Sequence, residues 1–408
     1  MIGLRHTMDL SNRPGLKRSK GEQPIAFALG SFVIGIVPSS VFRRRFAIFL
    51  ACLSITAVCQ RKAAPKAEHA ASGKNVPANP GNLDLPAPLR DLLATGKWDQ
   101  TPKGFRIVAL SFLADSCLAQ AQEDPRLADA GRACVERCAR LALGTKPADL
   151  STRDLHHGLW LSHYTMILGA ADRLGPCLDA KAHGQFAAAL AKASLADPFF
   201  HAPSYPGTPL RWPADQSATL ASLRRHDLAH HGSLAAEPTK KWIAFMEQKA
   251  MDRTLGLPVS EVTGKAKGAR DPRGCALSFQ TRYLHEFAPD LAASWWRKYR
   301  EHFQLDALLM VGFREWPKGR EHPADLDSGP IVHDIGTAAS ALAIGAARTM
   351  GDTLLASRLE SAATTVASLG GAAAKRATGT QLAAAILSVG AHVPGFPVPA
   401  NTASTAVP

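Results

Sequence analysis

The chain has 408 residues, of which 46% are hydrophobic and 20% are charged, a composition that excludes a collagen-like, a disulfide-knot or a wholly disordered protein. Its formal net charge is +13, but residues 1–74, with 12 Lys or Arg and 3 Asp or Glu, carry +9 of it. Because the rest of the chain lacks a dominant basic field, the sequence excludes nucleic acid as the main partner.

Two apolar runs, at residues 25–37 and 46–59, come first, and both are too short to span a bilayer comfortably. The second run follows three arginines at 43–45 and ends at Cys59, before a polar stretch. This order is typical of a bacterial lipoprotein signal. The sequence therefore predicts a signal or leader over residues 1–59, export to the cell envelope, and a lipid attached to Cys59.

Two alternatives stay open for this leader. A valine codon can start a bacterial protein, so the chain could begin at Val41, which would remove the first run. The two runs could also form a membrane anchor or hairpin. Each alternative keeps the membrane as a partner, through a lipid or through an N-terminal anchor. Residues 60–86, rich in Ala, Pro, Lys and Asn, predict a disordered linker.

From residue 87 to 392 apolar residues recur at spacings of three and four, and Pro or Gly marks many boundaries, which predicts an all-α domain. The predicted helices are 87–95, 103–120, 125–142, 153–173, 179–193, 214–230, 236–254, 276–286, 288–303, 331–350, 352–368 and 378–389. Twelve helices in hairpin pairs, without a fixed-period repeat, predict an (α/α)6 toroid rather than an open solenoid. Residues 393–408 are predicted to be a loose tail.

Three long loops, at residues 199–213, 257–274 and 310–330, interrupt the predicted helices. In a ring of hairpins such loops would meet at one mouth and build a pocket. Asp215 follows the first loop, in the opening turn of a helix that begins at Pro213, beside Trp212. A carboxylate there suits a pocket rim, and plain helix capping is the alternative.

Asp325 and Asp327 lie two residues apart in the third loop, just before Gly329 and Pro330. Paired carboxylates in a cavity can separate their pKa values and serve as acid and base, which makes Asp327 a candidate catalytic group. Glu315, earlier in the loop, is a candidate substrate contact. The alternative is a capped helix whose acids pair with Arg314 or Arg320.

The helix at 153–173 places Trp160, His163 and Tyr164 on one predicted face. A histidine beside a tyrosine could transfer protons near neutral pH, and a buried histidine bonded to the backbone is the alternative. Arg282 and Tyr283 enter a helix after the second loop and are candidate pocket residues. Cys275 in the same stretch lacks a paired base in sequence and is expected to be inert.

His226 and His230 are four residues apart, a spacing that permits joint metal ligation. The glutamate of an HExxH site is missing and no third ligand is evident, so no metal site is predicted. Walker A, GxGxxG, GxSxG and kinase motifs are also missing.

Residues 162–173 (SHYTMILGAADR), 212–215 (WPAD), and 312–315 (GFRE) with 327–330 (DSGP) together resemble the bacterial proteins with a linalool dehydratase/isomerase-like domain. The resemblance covers about residues 100–390. It implies an (α/α)6 toroid and cofactor-free dehydration and isomerisation of monoterpene alcohols, by His, Asp, Tyr and Cys side chains in a pocket. His163 would match the family's histidine, whereas the family's cysteine pair has no counterpart at 212–217.

The first hypothesis is therefore an exported, membrane-anchored lyase or isomerase that acts by acid/base chemistry, without a cofactor, on a small hydroxylated substrate such as a terpenoid-like alcohol. Its expected catalytic residues are His163, Tyr164, Asp215 and Asp327. Its expected substrate-binding residues are Trp160, Trp212, Arg282, Tyr283 and Glu315.

Two alternatives differ in class. The same toroid hosts glycoside hydrolases and polysaccharide lyases, so the protein could process an envelope glycan, with Asp215 and Asp327 as the carboxylate pair and Trp160, Trp212 and Trp316 stacking on sugar rings. It could also be a non-catalytic binding lipoprotein of the envelope. The sequence leaves the oligomeric state open.

Overall fold

The computed structural model describes residues 82–150, 156–264, 271–307, 310–369 and 380–398. All of them belong to one unit, Asn75–Pro408. The predicted leader with Val41 and Cys59, residues 60–81 of the predicted linker, and residues 399–408 of the predicted tail lie outside the described residues.

The prediction of a mainly helical protein is confirmed, with twelve α-helices in the described part of the chain. In chain order they are α1 Ala87–Thr95, α2 Lys103–Glu123, α3 Ala128–Leu143, α4 Gly158–Asp172, α5 Ala180–Ala196, α6 Pro213–His230, α7 Ala236–Lys249, α8 Gly274–Leu284, α9 Pro289–Phe303, α10 Thr337–Thr349, α11 Thr353–Leu369 and α12 Gln381–Ala391. A 3-10 turn, Pro125–Leu127, precedes α3. The boundaries follow local signals, since Pro opens α6 and α9 while side chains of Asp179 and Thr380 cap α5 and α12.

Six short strands form three antiparallel hairpins that the sequence did not predict. They are β1 Met251–Asp252 with β2 Leu257–Pro258, β3 Gln304–Ala307 with β4 Met310–Phe313, and β5 Ile331–Val332 with β6 Ile335–Gly336. The last hairpin replaces the start of the helix predicted over 331–350. Its turn residues His333 and Asp334 have φ of 49° and 68°, and a right-handed helix cannot pass through two left-handed residues.

The helices fall into two classes by burial. Every residue of α2 from 107 to 121 is buried, and so is every residue of α4 from 158 to 171. In contrast, α3, α7 and α9 bury one face each. A helix that is apolar all round belongs in a core. Among the described helices, α2 is long and apolar enough to span a membrane, but 83% of its apolar window is buried inside the fold.

Six of the helices contact one another in a cycle. Each of α2, α4, α6, α8 and α10 packs against the next of these six helices, and α12 packs against both α10 and α2. The intervening helices pack on members of this cycle, with α3 on α2, α5 on α4, α9 on α8, and α11 on α10. The largely buried helices α2 and α4 belong to the cycle, so its members form the core layer of the fold.

The first six residues of the predicted loose tail, 393–398, lie against this core. The amide of Gln122 both donates to the carbonyl of Gly395 (3.0 Å) and accepts from its N–H (2.8 Å). The ring of Phe396 lies 4.0 Å from the guanidinium carbon of Arg225. Two hydrogen bonds and a cation–π contact therefore hold this segment against the core.

A disulfide between Cys117 and Cys134 joins α2 to α3 across 17 residues of chain. By its effect on the unfolded chain, a loop of this length stabilises a fold by about 3 kcal/mol. We expect the variant with both cysteines replaced by alanine to lose about that much free energy of unfolding in urea titration. A reducing agent should cause the same loss in the wild type and none in the variant. An unchanged wild-type midpoint under reduction would contradict the bond.

Candidate functional site

A cavity of about 430 Å³ lies at the core layer, and each of the six helices in the cycle contributes to its lining. All three predicted long loops also reach it, through Tyr205 and Trp212, through Ser260, and through Leu326 and Asp327. The volume falls within the range of small-molecule sites. Much of the wall is apolar, with side chains that include Val108, Phe112, Phe279, Leu342 and Ile386.

Asp215, in the first turn of α6, lines this cavity and is half-buried. Desolvation raises its pKa to about 6, a hydrogen bond from Ser204 opposes the rise, and the charge of Asp327 adds to it. A rise of two units corresponds to about 3 kcal/mol, more than the roughly 0.3–1 kcal/mol by which a helix N-terminus favours a carboxylate. Asp215 is therefore a carboxyl group that exchanges its proton near neutral pH.

Asp327 lines the same cavity from the third loop, and its side chain is 53% exposed. Desolvation raises its pKa as well, while the guanidinium of Arg273, 3.6 Å away, lowers it. The two carboxyl groups are therefore coupled but differently placed. Asp215 is the more enclosed of the pair, and Asp327 has a cation beside it, so Asp215 takes up a proton more readily.

Arg273 organises the third loop from the cap position of α8. Its guanidinium is buried and donates to Glu315 Oε1 (2.5 Å) and to Asp325, besides facing Asp327. The sequence offered Arg314 or Arg320 as partners of the loop acids, and that alternative is wrong. Arg314 instead pairs with Asp334 at 2.7 Å, and Arg320 pairs with Asp252 and with Asp271 at 3.0 Å.

A close backbone contact places Arg273 there. The N–H of Gly274 donates to the carbonyl of Glu315 (2.8 Å), and a Cβ at Gly274 would stand 2.1 Å from the carbonyl oxygen of Arg314. Only glycine fits so close to another backbone segment. The start of α8 therefore lies directly against the chain that follows β4.

Glu315 does not reach the cavity, because its side chain is completely buried behind Arg273 and Cys275. Cys275 does line the cavity. Burial and the charge of Glu315 raise the pKa of the Cys275 thiol far above its usual range, although Arg273 opposes them. The thiol therefore stays protonated, and a protonated thiol is a poor nucleophile.

Tyr205 and Trp212 form the aromatic part of the cavity, with ring centroids 5.7 Å apart in an edge-to-face arrangement. Desolvation raises the pKa of Tyr205, and the charges of Asp215 and Asp327 add to the rise. The hydroxyl therefore stays protonated as a hydrogen-bond donor. Sequence reasoning did not select Tyr205, although it is an aromatic residue in the proline-rich first loop.

His163 is completely buried and lies outside the cavity. Its Nδ1 is 2.6 Å from Ser111 Oγ, and its ring packs edge-on against Phe112 and Phe279, whose side chains form the cavity wall. Burial lowers the pKa of His163 to about 3. The imidazole is therefore neutral at physiological pH and is separated from the cavity by an aromatic layer.

Trp160 and Tyr164 point away from His163, toward α5. Their rings stack at 4.8 Å and pack edge-on against Phe186, and the Trp160 indole N–H donates to Thr145 Oγ1 (3.1 Å). Adjacent helical residues are turned by about 100°, so Tyr164 and His163 face different neighbours. Neither aromatic ring reaches the cavity.

Arg282 and Tyr283 lie farther along α8 than the cavity residues Cys275 and Phe279. Arg282 donates to the buried carboxylate of Asp115, and the Tyr283 ring lies 4.9 Å from its guanidinium carbon. Arg282 therefore belongs to a polar network in the core, and the Tyr283 ring packs on it. Arg282 also borders a separate cavity of about 350 Å³.

Comparison of the chain with models of known protein families found no match, and no curated protein matched it either. Of the predicted site residues, the cavity brings together Asp215, Asp327 and Trp212, and it adds Tyr205 and Arg273.

Proposed function

We propose that the helices form the (α/α)6 toroid that the sequence predicts. The support is the cycle of contacts from α2 through α4, α6, α8 and α10 to α12 and back to α2. Alternate helices pack outside this cycle, as in a ring of hairpins. The shared cavity lined by all six core helices agrees with this arrangement.

The cavity is, in this proposal, the active site of an acid/base enzyme, a lyase or isomerase. The observation that carries the proposal is the pair of cavity carboxyl groups with different surroundings. The pKa of Asp215 is about 6, and Asp327 is the more exposed group with Arg273 beside it. Near neutral pH such a pair holds one proton in part of the molecules, which is the state that acid/base catalysis requires.

In a dehydration, the Asp215 carboxyl group donates its proton to the substrate hydroxyl, the carbon–oxygen bond breaks, and water leaves. The Asp327 carboxylate takes a proton from the neighbouring carbon, and that electron pair forms the double bond. The proton then returns from Asp327 to Asp215 through water before the next turnover. In this proposal Arg273 positions Asp327, and the Tyr205 hydroxyl donates a hydrogen bond to the substrate oxygen.

The apolar wall supports a substrate with an apolar body and a single hydroxylated end, such as a terpenoid-like alcohol. Phe112, Phe279 and Leu342 offer a sugar no hydrogen bonds. Glycan processing is the second candidate, because a carboxylate pair beside Tyr205 and Trp212 also suits a sugar ring. A binding protein without turnover is the third.

The envelope location belongs to the same proposal. The disulfide between Cys117 and Cys134 supports it, because such bonds persist mainly in oxidising compartments outside the cytosol. The lipid at Cys59 would tether the domain to the membrane, which would remain its second partner.

The test uses the purified protein, Asp215→Asn, and the matched control Asp290→Asn, which changes an exposed acid in the first turn of α9. Each is incubated with terpene alcohols and with envelope-type oligosaccharides, and products are read by mass spectrometry. An alkene or isomer made by the wild type and the control, but not by Asp215→Asn, supports the proposal. Oligosaccharide cleavage would replace it with glycan processing, and no product from either panel would favour a binding protein.

A further inference from the structure

Four metal-ligating side chains converge where α4, α5 and α6 meet. Asp172 ends α4, Cys177 follows in the loop, His183 lies in the first turn of α5, and His230 ends α6. Their ligand atoms all lie within 4.8 Å of one another, and this is the one such group in the described part of the chain. His230 is 15 residues beyond Asp215 along α6, about 22 Å by the helical rise, so the cluster is remote from the cavity.

Three of these atoms form a triangle that hydrogen atoms alone cannot satisfy. Asp172 Oδ2 is 2.9 Å from His183 Nδ1 and 3.3 Å from His230 Nε2, and the two nitrogens are 3.1 Å apart. If both nitrogens carry a hydrogen, one N–H faces another. If either lacks it, a lone pair faces the carboxylate. A cation at the centre would make all three contacts favourable.

The distances match a metal shell. Nitrogen or oxygen ligands at about 2.0–2.1 Å from zinc stand about 3.3 Å apart in a tetrahedron. The triangle sides of 2.9–3.3 Å are close to that spacing. The Cys177 sulfur lies within 4.8 Å of all three atoms of the triangle, which makes it the candidate fourth ligand.

The surrounding charges also favour a cation. The C-terminal ends of α4 and α6, which carry partial negative charge, meet at the cluster, against one opposing N-terminal end from α5. On binding metal, the Cys177 thiol would release its proton to solvent and bind as a thiolate.

We propose that Asp172, Cys177, His183 and His230 form a zinc site that joins the ends of α4, α5 and α6. One thiolate and two imidazoles select Zn²⁺ over the oxygen-preferring Mg²⁺ and Ca²⁺. Four protein ligands complete a tetrahedral shell, which is typical of a structural site rather than a catalytic one. The metal would hold in place the far end of the helix that carries Asp215.

The sequence predicted no metal site, because nothing along the chain near His226 and His230 offers a third ligand. In the structure His230 is joined instead by His183 of α5 and by Asp172 and Cys177, more than 50 residues earlier. The His226 ring lies against both histidines, at centroid distances of 4.8 and 4.7 Å.

The test begins with the full-length protein stripped of metal by a chelator and titrated with Co²⁺, which reports tetrahedral thiolate coordination by its absorption. We expect one Co²⁺ per chain, with the visible bands of tetrahedral cobalt and a sulfur-to-cobalt charge-transfer band. Added Zn²⁺ should displace the Co²⁺ and abolish both sets of bands. Loss of a partner that merely supports a ligand weakens binding about 10–100-fold. Cys177→Ser should therefore lose the charge-transfer band and bind Co²⁺ at least about tenfold more weakly.

Two variants serve as matched controls. His302→Ala, on α9, and Cys138→Ser, on α3, lie outside the cluster and should keep both sets of bands, whereas His230→Ala should lose the tetrahedral ones. Zn²⁺ should raise the unfolding temperature of the wild type and of His302→Ala but not of Cys177→Ser. A wild-type spectrum without the charge-transfer band, or a band that persists in Cys177→Ser, would overturn the proposal.

Discussion

Replacing Asp215 by asparagine is expected to lower kcat/KM for the accepted substrate by about 10²–10⁴-fold, because an amide cannot supply the proton that the leaving hydroxyl needs. Asparagine has nearly the same shape, and Asp215 has no ion-pair partner among the described residues whose loss would disturb α6. The unfolding midpoint should therefore stay close to that of the wild type. Steady-state kinetics on the wild type, Asp215→Asn and Asp290→Asn measure the effect. A fall of less than about tenfold in Asp215→Asn would remove Asp215 from the chemistry.

The same proton determines the pH dependence of this activity. Asp215 acts as an acid in its protonated form, so kcat/KM is present below its pKa of about 6 and is lost as the pH rises through that value. Asp327 acts as a base in its ionised form, which produces a second limb at lower pH. The two limbs together give a bell-shaped pH profile of kcat/KM, and Asp290→Asn should show the same profile. A rate that increases through pH 6 would make Asp215 the base instead.

Replacing Arg225 by methionine is expected to lower the free energy of unfolding by about 3–5 kcal/mol. Arg225 is buried in the core on α6 and donates to both oxygens of Asp115, at 2.7 and 3.1 Å. It also donates to both oxygens of Glu286, at 2.9 and 2.7 Å. Asp115 keeps Arg282 as a partner in the variant, whereas Glu286 becomes a buried carboxylate without its cation.

Urea unfolding at pH 5 and at pH 8 tests this expectation. Burial already raises the pKa of Glu286, and removal of the arginine raises it further, so the loss of stability should be larger at pH 8 and smaller at pH 5, where the carboxyl group accepts a proton. Arg297→Met, an exposed change on α9, should alter stability by less than about 0.5 kcal/mol. A loss below about 1 kcal/mol for Arg225→Met, or one that does not vary with pH, would contradict the account.

The network around Arg225 explains why these charges lie in the core at all. Asp115 lies in α2, Arg225 in α6 and Arg282 in α8, and Glu286 follows two residues after the end of α8. Together they are two acidic and two basic side chains. Their bonds link α2, α6 and the α8 region of the core layer. The cost of burying four charges is offset only while every member keeps its partner.

Local patterns were enough for most of the secondary structure. Apolar spacing, with Pro and Gly at boundaries, predicted the helices, and α1 begins and ends at the predicted residues. The prediction was wrong at residues 331–336, where the left-handed residues His333 and Asp334 turn the chain into a hairpin. The pairing of β5 with β6 and of Ile335 with Arg314 decides that conformation, and neither pairing is visible in a helical pattern.

The same distinction applies to the sites. The sequence by itself determined the helices, the three loops, and the candidates Asp215, Trp212 and Asp327, because a carboxylate or aromatic ring at a loop end is visible in the local pattern. The tertiary structure alone decided that His163 is sealed behind Phe112 and Phe279, and that Arg273 holds the third loop. It also placed His230 beside Asp172, 58 residues earlier. Such contacts depend on which face each helix turns to its neighbours, and a single residue changes that face by about 100°.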